Sequence, residues 1–324
     1  MKFIRTVKVS VMAALFAGIG LSATADQQGT SVATNKPPLK VLSIGNSFSQ
    51  SALVHTPVVA KAMGCELAYT HLFIAGCRLR QHAANMMSNH FPYVVQRTGR
   101  NNVYETPLDK CCKPRTGKKG ARMSNIKPML AAEKWDVVTI QQGSSECWKD
   151  DSYQPYADQL IKVIRELAPT AKIVVHQTWS YNNLNGMIHN HKTKGPGSWG
   201  FDQTGMYDRL TANYAKLARD YGLSVIPMGL AVQKFRKARN VTTWENDCVG
   251  SVRLKDGRPA GDSIHLGKIG KYLQGLVWVG ALYGVDVSDC PYKPEWMDDE
   301  TAALCRRCAK EALAENILEP AAAK

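Results

Sequence analysis

The sequence predicts an α/β fold, a flavodoxin-like three-layer α/β/α sandwich built on a five-stranded parallel sheet. Three observations predict it. Short apolar runs of four to six residues alternate with amphipathic helical patterns, as buried parallel strands joined by helices do. Polar, glycine-bearing stretches follow those runs at 45–50, 72–80, 141–148 and 177–200, where open parallel sheets carry their ligand loops. The 324-residue chain is long enough for one large domain, and no low-complexity linker divides it.

The elements follow in order. Residues 1–25 read as an export signal: a basic start (Lys2, Arg5, Lys8), an apolar run from Val9 to Leu21 too short to span a bilayer, and small residues Ala23 and Ala25 before Asp26. No cysteine follows the run, so no stable membrane anchor is expected. The expected route is the Sec pathway, to the periplasm or the exterior. Residues 26–38 are polar and read as a flexible segment. The main domain is expected over 39–290, with a helical tail over 291–324.

Within the domain, Leu39 to Ile44 reads as the first strand, Ser51 to Met63 as a helix and Glu66 to His71 as the second strand. Leu79 to Met87 is helical. Residues 98–124 are basic, contain Cys111 and Cys112, and read as an inserted loop. A short helix over Ile126 to Glu133 precedes the third strand, Asp136 to Ile140. Tyr156 to Leu167 is an amphipathic helix that stops at Pro169. Ile173 to His176 is the fourth strand, Met206 to Tyr221 a long helix and Ser224 to Pro227 the fifth strand. Gln233 to Ala260 reads as irregular. Leu266 to Tyr283 is an apolar helix, and Asp299 to Ala314 closes the chain.

The formal charge is +14, falling to +11 without the three basic residues of the leader. Such an excess favours anionic partners at long range. The basic residues lack interleaved aromatics, and with an export signal no nucleic-acid partner is expected. There is no G-x-G-x-x-G after the first strand and no P-loop, so a nucleotide site is not indicated. Nine cysteines in an oxidising compartment are disulfide candidates, and Cys305 and Cys308 suggest a local bridge. Cys111, Cys112, Cys305 and Cys308 have no spacing specific to zinc. His189 and His191 lie on a polar loop and read as solvated.

The chemistry lies in two short stretches. "VLSIGNSFSQSA" ends a strand on Gly45-Asn46-Ser47, and "GDSIHLG" sets Asp262 three residues before His265. That spacing lets the carboxylate reach the imidazole within one turn of chain. A serine nucleophile needs such a pair, a histidine to take its proton and an acid to fix the tautomer.

"GNSFS" resembles the first block of the SGNH hydrolases, also called the GDSL family, and "DSIH" resembles their last. "IAGCRL" is similar to the second block, and "DVVTIQQGSSE" stands in place of the third. The whole run from Leu39 to Tyr283 also resembles an exported bacterial branch filed as a domain of unknown function. The resemblance implies that Ser47 is the nucleophile, His265 the general base and Asp262 its orienting acid. It also implies that the backbone N–H groups of Ser47 and Gly76 form an oxyanion hole. Asn46 stands where the first block has Asp. The third-block Asn is absent. Gln142 is the preferred replacement donor, because its amide donates as Asn does; Ser145 is the alternative from strict alignment to Gly143. Gln141 is expected to face the other way by strand alternation. Arg78, Ser145, His176 and Trp179 are candidate substrate-lining residues. Trp148, Trp179 and Trp199 are placed near the mouth, where they could stack on sugar rings.

The expected function is an exported serine esterase acting on O-acyl, for instance O-acetyl, groups of a carbohydrate or another small ester. No metal or organic cofactor is required. Acyl transfer by the same triad and non-catalytic glycan binding on the same fold are the alternatives. The sequence leaves oligomeric state open.

Overall fold

The structure, a computed structural model, describes residues 37–99, 104, 106–188, 198–241, 244–255 and 258–315. The expected export signal, nearly all of the 26–38 segment, and His189 and His191 lie outside the described residues.

The first half of the chain runs β1 (Leu39–Gly45), α1 (Ser47–Gln50), α2 (Thr56–Ala62), β2 (Leu67–Phe73), α3 (Leu79–Met87) and β3 (Tyr93–Arg97). It continues with α4 (Leu108–Cys111), β4 (Lys113–Pro114), β5 (Arg122–Ser124), α5 (Ile126–Ala131) and β6 (Val137–Ile140). The second half runs α6 (Tyr156–Leu167), β7 (Lys172–His176), α7 (Gln203–Tyr221), β8 (Ser224–Ile226) and α8 (Met228–Ala238). Then come β9 (Val249–Lys255), β10 (Arg258–Leu266), α9 (Lys268–Tyr283) and α10 (Asp299–Ala314).

The expected α/β architecture is present, but among the described residues the sheet has eight strands rather than five, in the order β4-β5-β3-β2-β1-β6-β7-β8. Five contiguous strands, β2-β1-β6-β7-β8, are parallel, and β3, β5 and β4 add antiparallel pairs beyond β2. β2 lies on one side of β1 and β6 on the other. The chain therefore reverses its direction of travel at the end of β1, which is where such sheets open a ligand crevice. Helices α3, α5 and α6 pack together, and α2, α8, α9 and α10 form a second group, as layers around a sheet require.

Three expectations are corrected. The basic segment 98–124 is not wholly a loop, since it supplies β4 and β5. Those strands are short and carry Lys113, Pro114 and Arg122, the residue types that keep an edge from pairing onward, so they lack the apolar pattern of a core strand. The region 233–260 is not irregular: α8 ends there, and β9 and β10 form an antiparallel hairpin. Asp256-Gly257 in the sequence between them is a favoured hairpin pair and was the available signal. Finally, none of the nine cysteines is bridged. Cys111 and Cys112 sit at the sheet edge and Cys305 and Cys308 on α10, and among the described residues no cluster of three or more His, Cys, Asp or Glu side chains could hold a metal.

Candidate active site

β1 delivers Gly45, Asn46 and Ser47 to the crevice. Asn46 caps α1, its Oδ1 accepting from Phe48 N at 2.9 Å, which holds the strand-to-helix corner and leaves Ser47 partly exposed at the first helical position. Gly45 is dictated by close approach. A side-chain carbon there would lie 2.2 Å from Ser49 Oγ, which is already held by His71 Nε2 at 2.9 Å.

The chain brings His265, 218 residues on, to Ser47, and Asp262 with it. Ser47 Oγ lies 2.8 Å from His265 Nε2, and His265 Nδ1 lies 2.6 Å from Asp262 Oδ2. The other carboxylate oxygen accepts from Ile264 N at 2.8 Å and His265 N at 3.0 Å. Burial pushes the Asp262 carboxyl up, but those backbone N–H bonds and the imidazole outweigh it and hold the carboxyl below its ordinary value. An ionised Asp262 can only accept. The proton of a neutral His265 therefore sits on Nδ1, and Nε2 is free to accept from Ser47.

The turn carrying these residues is clamped to the body of the domain. Trp179 stacks on Phe48, with centroids 4.1 Å apart and planes at 17°, while its Nε1 donates to Ile264 O at 2.9 Å. Asn182 N donates to Ser263 O at 3.0 Å, and Asn185 Nδ2 lies 3.2 Å from Ser263 Oγ. One tryptophan thus touches both the residue after the serine and the residue before the histidine.

Gly76 lies in a turn bound to the serine corner at both ends. Ile74 N donates to Gly45 O at 3.3 Å, and Asn46 Nδ2 donates to Cys77 O at 2.9 Å. Gly76 has φ of +60°, which glycine adopts without strain.

Several expected site residues lie elsewhere. The Gln142 side chain is fully buried. Its Oε1 accepts from Leu79 N and Gly143 N, both at 2.8 Å, and these two backbone donors fix the orientation of the amide. Its Nε2 is committed to Ser152 O and Oγ at 2.9 and 3.0 Å, so it braces the 141–152 loop rather than facing Ser47. Gln141, expected to turn away, meets the corner instead, with Nε2 2.7 Å from Asn46 Oδ1, because the strand ends at Ile140 and its alternation lapses. Ser145 Oγ accepts from Arg78 Nε at 3.2 Å, and Arg78 is also paired with Glu146 Oε1 at 3.1 Å. His176 and Trp179 are fully buried and line nothing; both support the site from behind. Trp148 and Trp199 pack 5.0 Å apart in a cluster with Phe201 and Tyr181.

Behind the serine corner, the hydrogen bonds form a chain with one direction. Gln141 donates to Asn46, so its Oε1 receives the Nδ1 proton of His176 at 2.8 Å. His176 Nε2 faces Gln274 Nε2 at 3.5 Å, and that amide also donates to Phe48 O at 2.9 Å. The chain needs a neutral His176, and burial lowers His176 to about 3. Sequence patterning could not find Gln274, which sits within the apolar helix α9.

The family model described as "Domain of unknown function (DUF4886)" matches residues 40–312. The chain belongs to the DUF4886 family. The expectation of a family filed as a domain of unknown function is met. A DUF4886 protein of known structure from Bacteroides uniformis is 28% identical, with a TM-score of 0.69, over 86% of this chain and 96% of that one. Likeness to an extracellular lipase from Streptomyces rimosus is more distant: 16% identity and a TM-score of 0.40, over 74% and 97%. A phospholipase A1 from Streptomyces albidoflavus gives 14% and 0.38, over 74% and 96%. No curated protein matches the sequence. Across this DUF4886 chain, the matched residues 40–312 include the serine corner, the Gly76 turn and the Asp262–His265 turn.

Proposed function

We propose that this DUF4886 protein is a serine ester hydrolase. The observation that carries the reading is the continuous contact Ser47 Oγ–His265 Nε2–Asp262 Oδ2, at 2.8 and 2.6 Å. His265 takes the Ser47 proton as Oγ attacks the ester carbonyl. The tetrahedral oxyanion is held by the N–H groups of Ser47 and Gly76. The alcohol then leaves with the proton from His265, and water, activated by the same imidazole, releases the acid from acyl-Ser47.

Ser145 is the proposed third donor in place of Gln142. Arg78 Nε donates to its oxygen, which leaves the hydroxyl proton available to the oxyanion. The side chains of His265 and Asp262 are 41% and 38% exposed. Water therefore has ready access to the acyl-enzyme, which favours hydrolysis over transfer to another acceptor.

The proposed substrate is an O-acyl group on a carbohydrate or another small hydroxyl-bearing alcohol, met in the periplasm or outside the cell. A crevice of about 580 Å³ beside Ser47 supports it, since Gln50, Gln96 and Ser251 in its wall offer hydrogen bonds to hydroxyls. The test is hydrolysis of p-nitrophenyl acetate and labelling by a fluorophosphonate, beside Ser47→Ala. Turnover and labelling are expected in the parent and not in the variant. A parent that neither turns over nor labels overturns the reading.

A further inference from the structure

The crevice beside Ser47 has a second end. Lys268 and Lys271 line it together with Ser47, Asp262 and His265. Both lysines lie in the first turn of α9, whose first turn holds no acidic residue. At i and i+3 they share one face, so their charges repel, and both stand at the end of the helix where the macrodipole already disfavours cations. Among the described residues neither forms an ion pair, and the Lys268 amine lies 5.8 Å over the Trp296 ring. Burial lowers the His55 pKa first, and the Lys271 charge lowers it further, so that charge is felt across the wall of the crevice. Arg78, by contrast, is already paired with Glu146. For the stability of α9 alone, this arrangement is unfavourable. It is favourable for an anion lying in the crevice.

The side of the ester follows from the same wall. His265 lines the crevice, while the Gly76 turn does not. The group nearest His265 Nε2 is the one that departs with its proton, so the crevice receives the alcohol half of the ester. We propose that the alcohol released by this enzyme carries an anionic group, a carboxylate or phosphate, held by Lys271 and Lys268. This rests on the hydrolase reading and names its substrate class: acyl esters of a small acidic alcohol. Leu53 and Val54 in the same wall accommodate the carbon frame between ester and anion.

The test uses the full chain with 3- and 4-acetoxybenzoate and their neutral isosteres, 3- and 4-acetoxybenzamide. Each kcat/KM is normalised to the ester's own rate with hydroxide. At about 20 mM salt at least one anionic isomer is expected to be preferred about tenfold, the order that two cations across a solvated crevice provide. The preference should shrink toward one at high salt, since exposed charges are screened. It should vanish in Lys268→Gln/Lys271→Gln and persist in Lys268→Arg/Lys271→Arg. Should the double variant not fold, the salt dependence of the parent and the single Lys271→Gln variant carry the test. Equal, salt-independent turnover of the anionic and neutral esters overturns the proposal and leaves the hydrolase reading standing, as does a preference that survives removal of both charges. No turnover of any of the four overturns the proposal, and the hydrolase reading falls with it only where p-nitrophenyl acetate and the fluorophosphonate fail as well.

Discussion

Replacing Asn46 by Asp tests the serine corner most directly. Asn46 is 1% exposed and makes three bonds. It accepts from Phe48 N at 2.9 Å and Gln141 Nε2 at 2.7 Å, and it donates to Cys77 O at 2.9 Å. A carboxylate keeps the first two. In the third it sets an oxygen against the Cys77 carbonyl at the distance now bridged by a hydrogen. One lost hydrogen bond and two buried acceptors without a donor cost about 2–4 kcal/mol together. Two responses relieve the clash. The carboxyl can take up a proton and donate to Cys77 O, or Cys77 can withdraw and carry the Gly76 N–H with it. The second response weakens one oxyanion donor, and complete loss of such a donor costs roughly 10²–10³ in kcat. Asn46→Asp is therefore expected to lower kcat about tenfold to hundredfold at pH 8 with little change in KM, and to lower the urea-derived stability by about 2–4 kcal/mol. Its activity relative to the parent should recover toward lower pH as the new carboxyl protonates. Steady-state hydrolysis of p-nitrophenyl acetate from pH 6 to 9, beside urea unfolding, measures both. A variant with parental kcat at pH 8 and unchanged stability would refute the account of how the Gly76 turn is held.

Three further outcomes are expected. Trp179→Phe keeps the stack on Phe48 but loses the Nε1 bond to Ile264 O; stability should fall by about 1 kcal/mol and kcat severalfold, with KM nearly constant, and an unchanged kcat would remove Trp179 from the support of the histidine turn. Gln142→Ala should destabilise by about 2–4 kcal/mol, because Leu79 N, Gly143 N and Ser152 lose their partner. Ser145→Ala should instead lower kcat without that loss, and the reverse pattern in a paired urea and kinetic measurement would restore Gln142 as the donor. The third outcome is acid sensitivity. Burial lowers His71 to about 4 and His82 and His176 to about 3. The unfolded chain binds protons at these sites below pH 6.5 while the folded chain does not. Stability is thus full above about pH 6.5 and falls as pH drops toward 4, each histidine contributing about 1.4 kcal/mol per pH unit in that window. Urea unfolding at pH 7 and pH 5 should differ by several kcal/mol, and equal values would contradict three neutral buried histidines.

The local chemistry of the chain determined much of this protein. Short apolar runs alternating with amphipathic helices named the five parallel strands, because strands buried on both faces are mostly apolar. Gly45-Asn46-Ser47 and Asp262-x-x-His265 were legible because each is a short-range device, a capped corner and a carboxylate that folds back on its own turn. Polar pairings between distant segments were not legible. Gln141 and Gln142 are adjacent and chemically identical, yet one meets Asn46 and the other Ser152, and only the path of the chain beyond β6 separates them. Trp179 and His176 looked like lining and proved to be foundation, since burial belongs to the packed whole and not to residue type. The edge strands β4 and β5 were hidden by the charges that protect an edge. Lys268 and Lys271, two basic residues among many in the sequence, gained meaning only when folding set α9 against the serine corner. Periodicity and short spacings are written along the chain. Which polar group faces which, and across what crevice, depends on contacts between segments up to 237 residues apart, and the tertiary structure decided those.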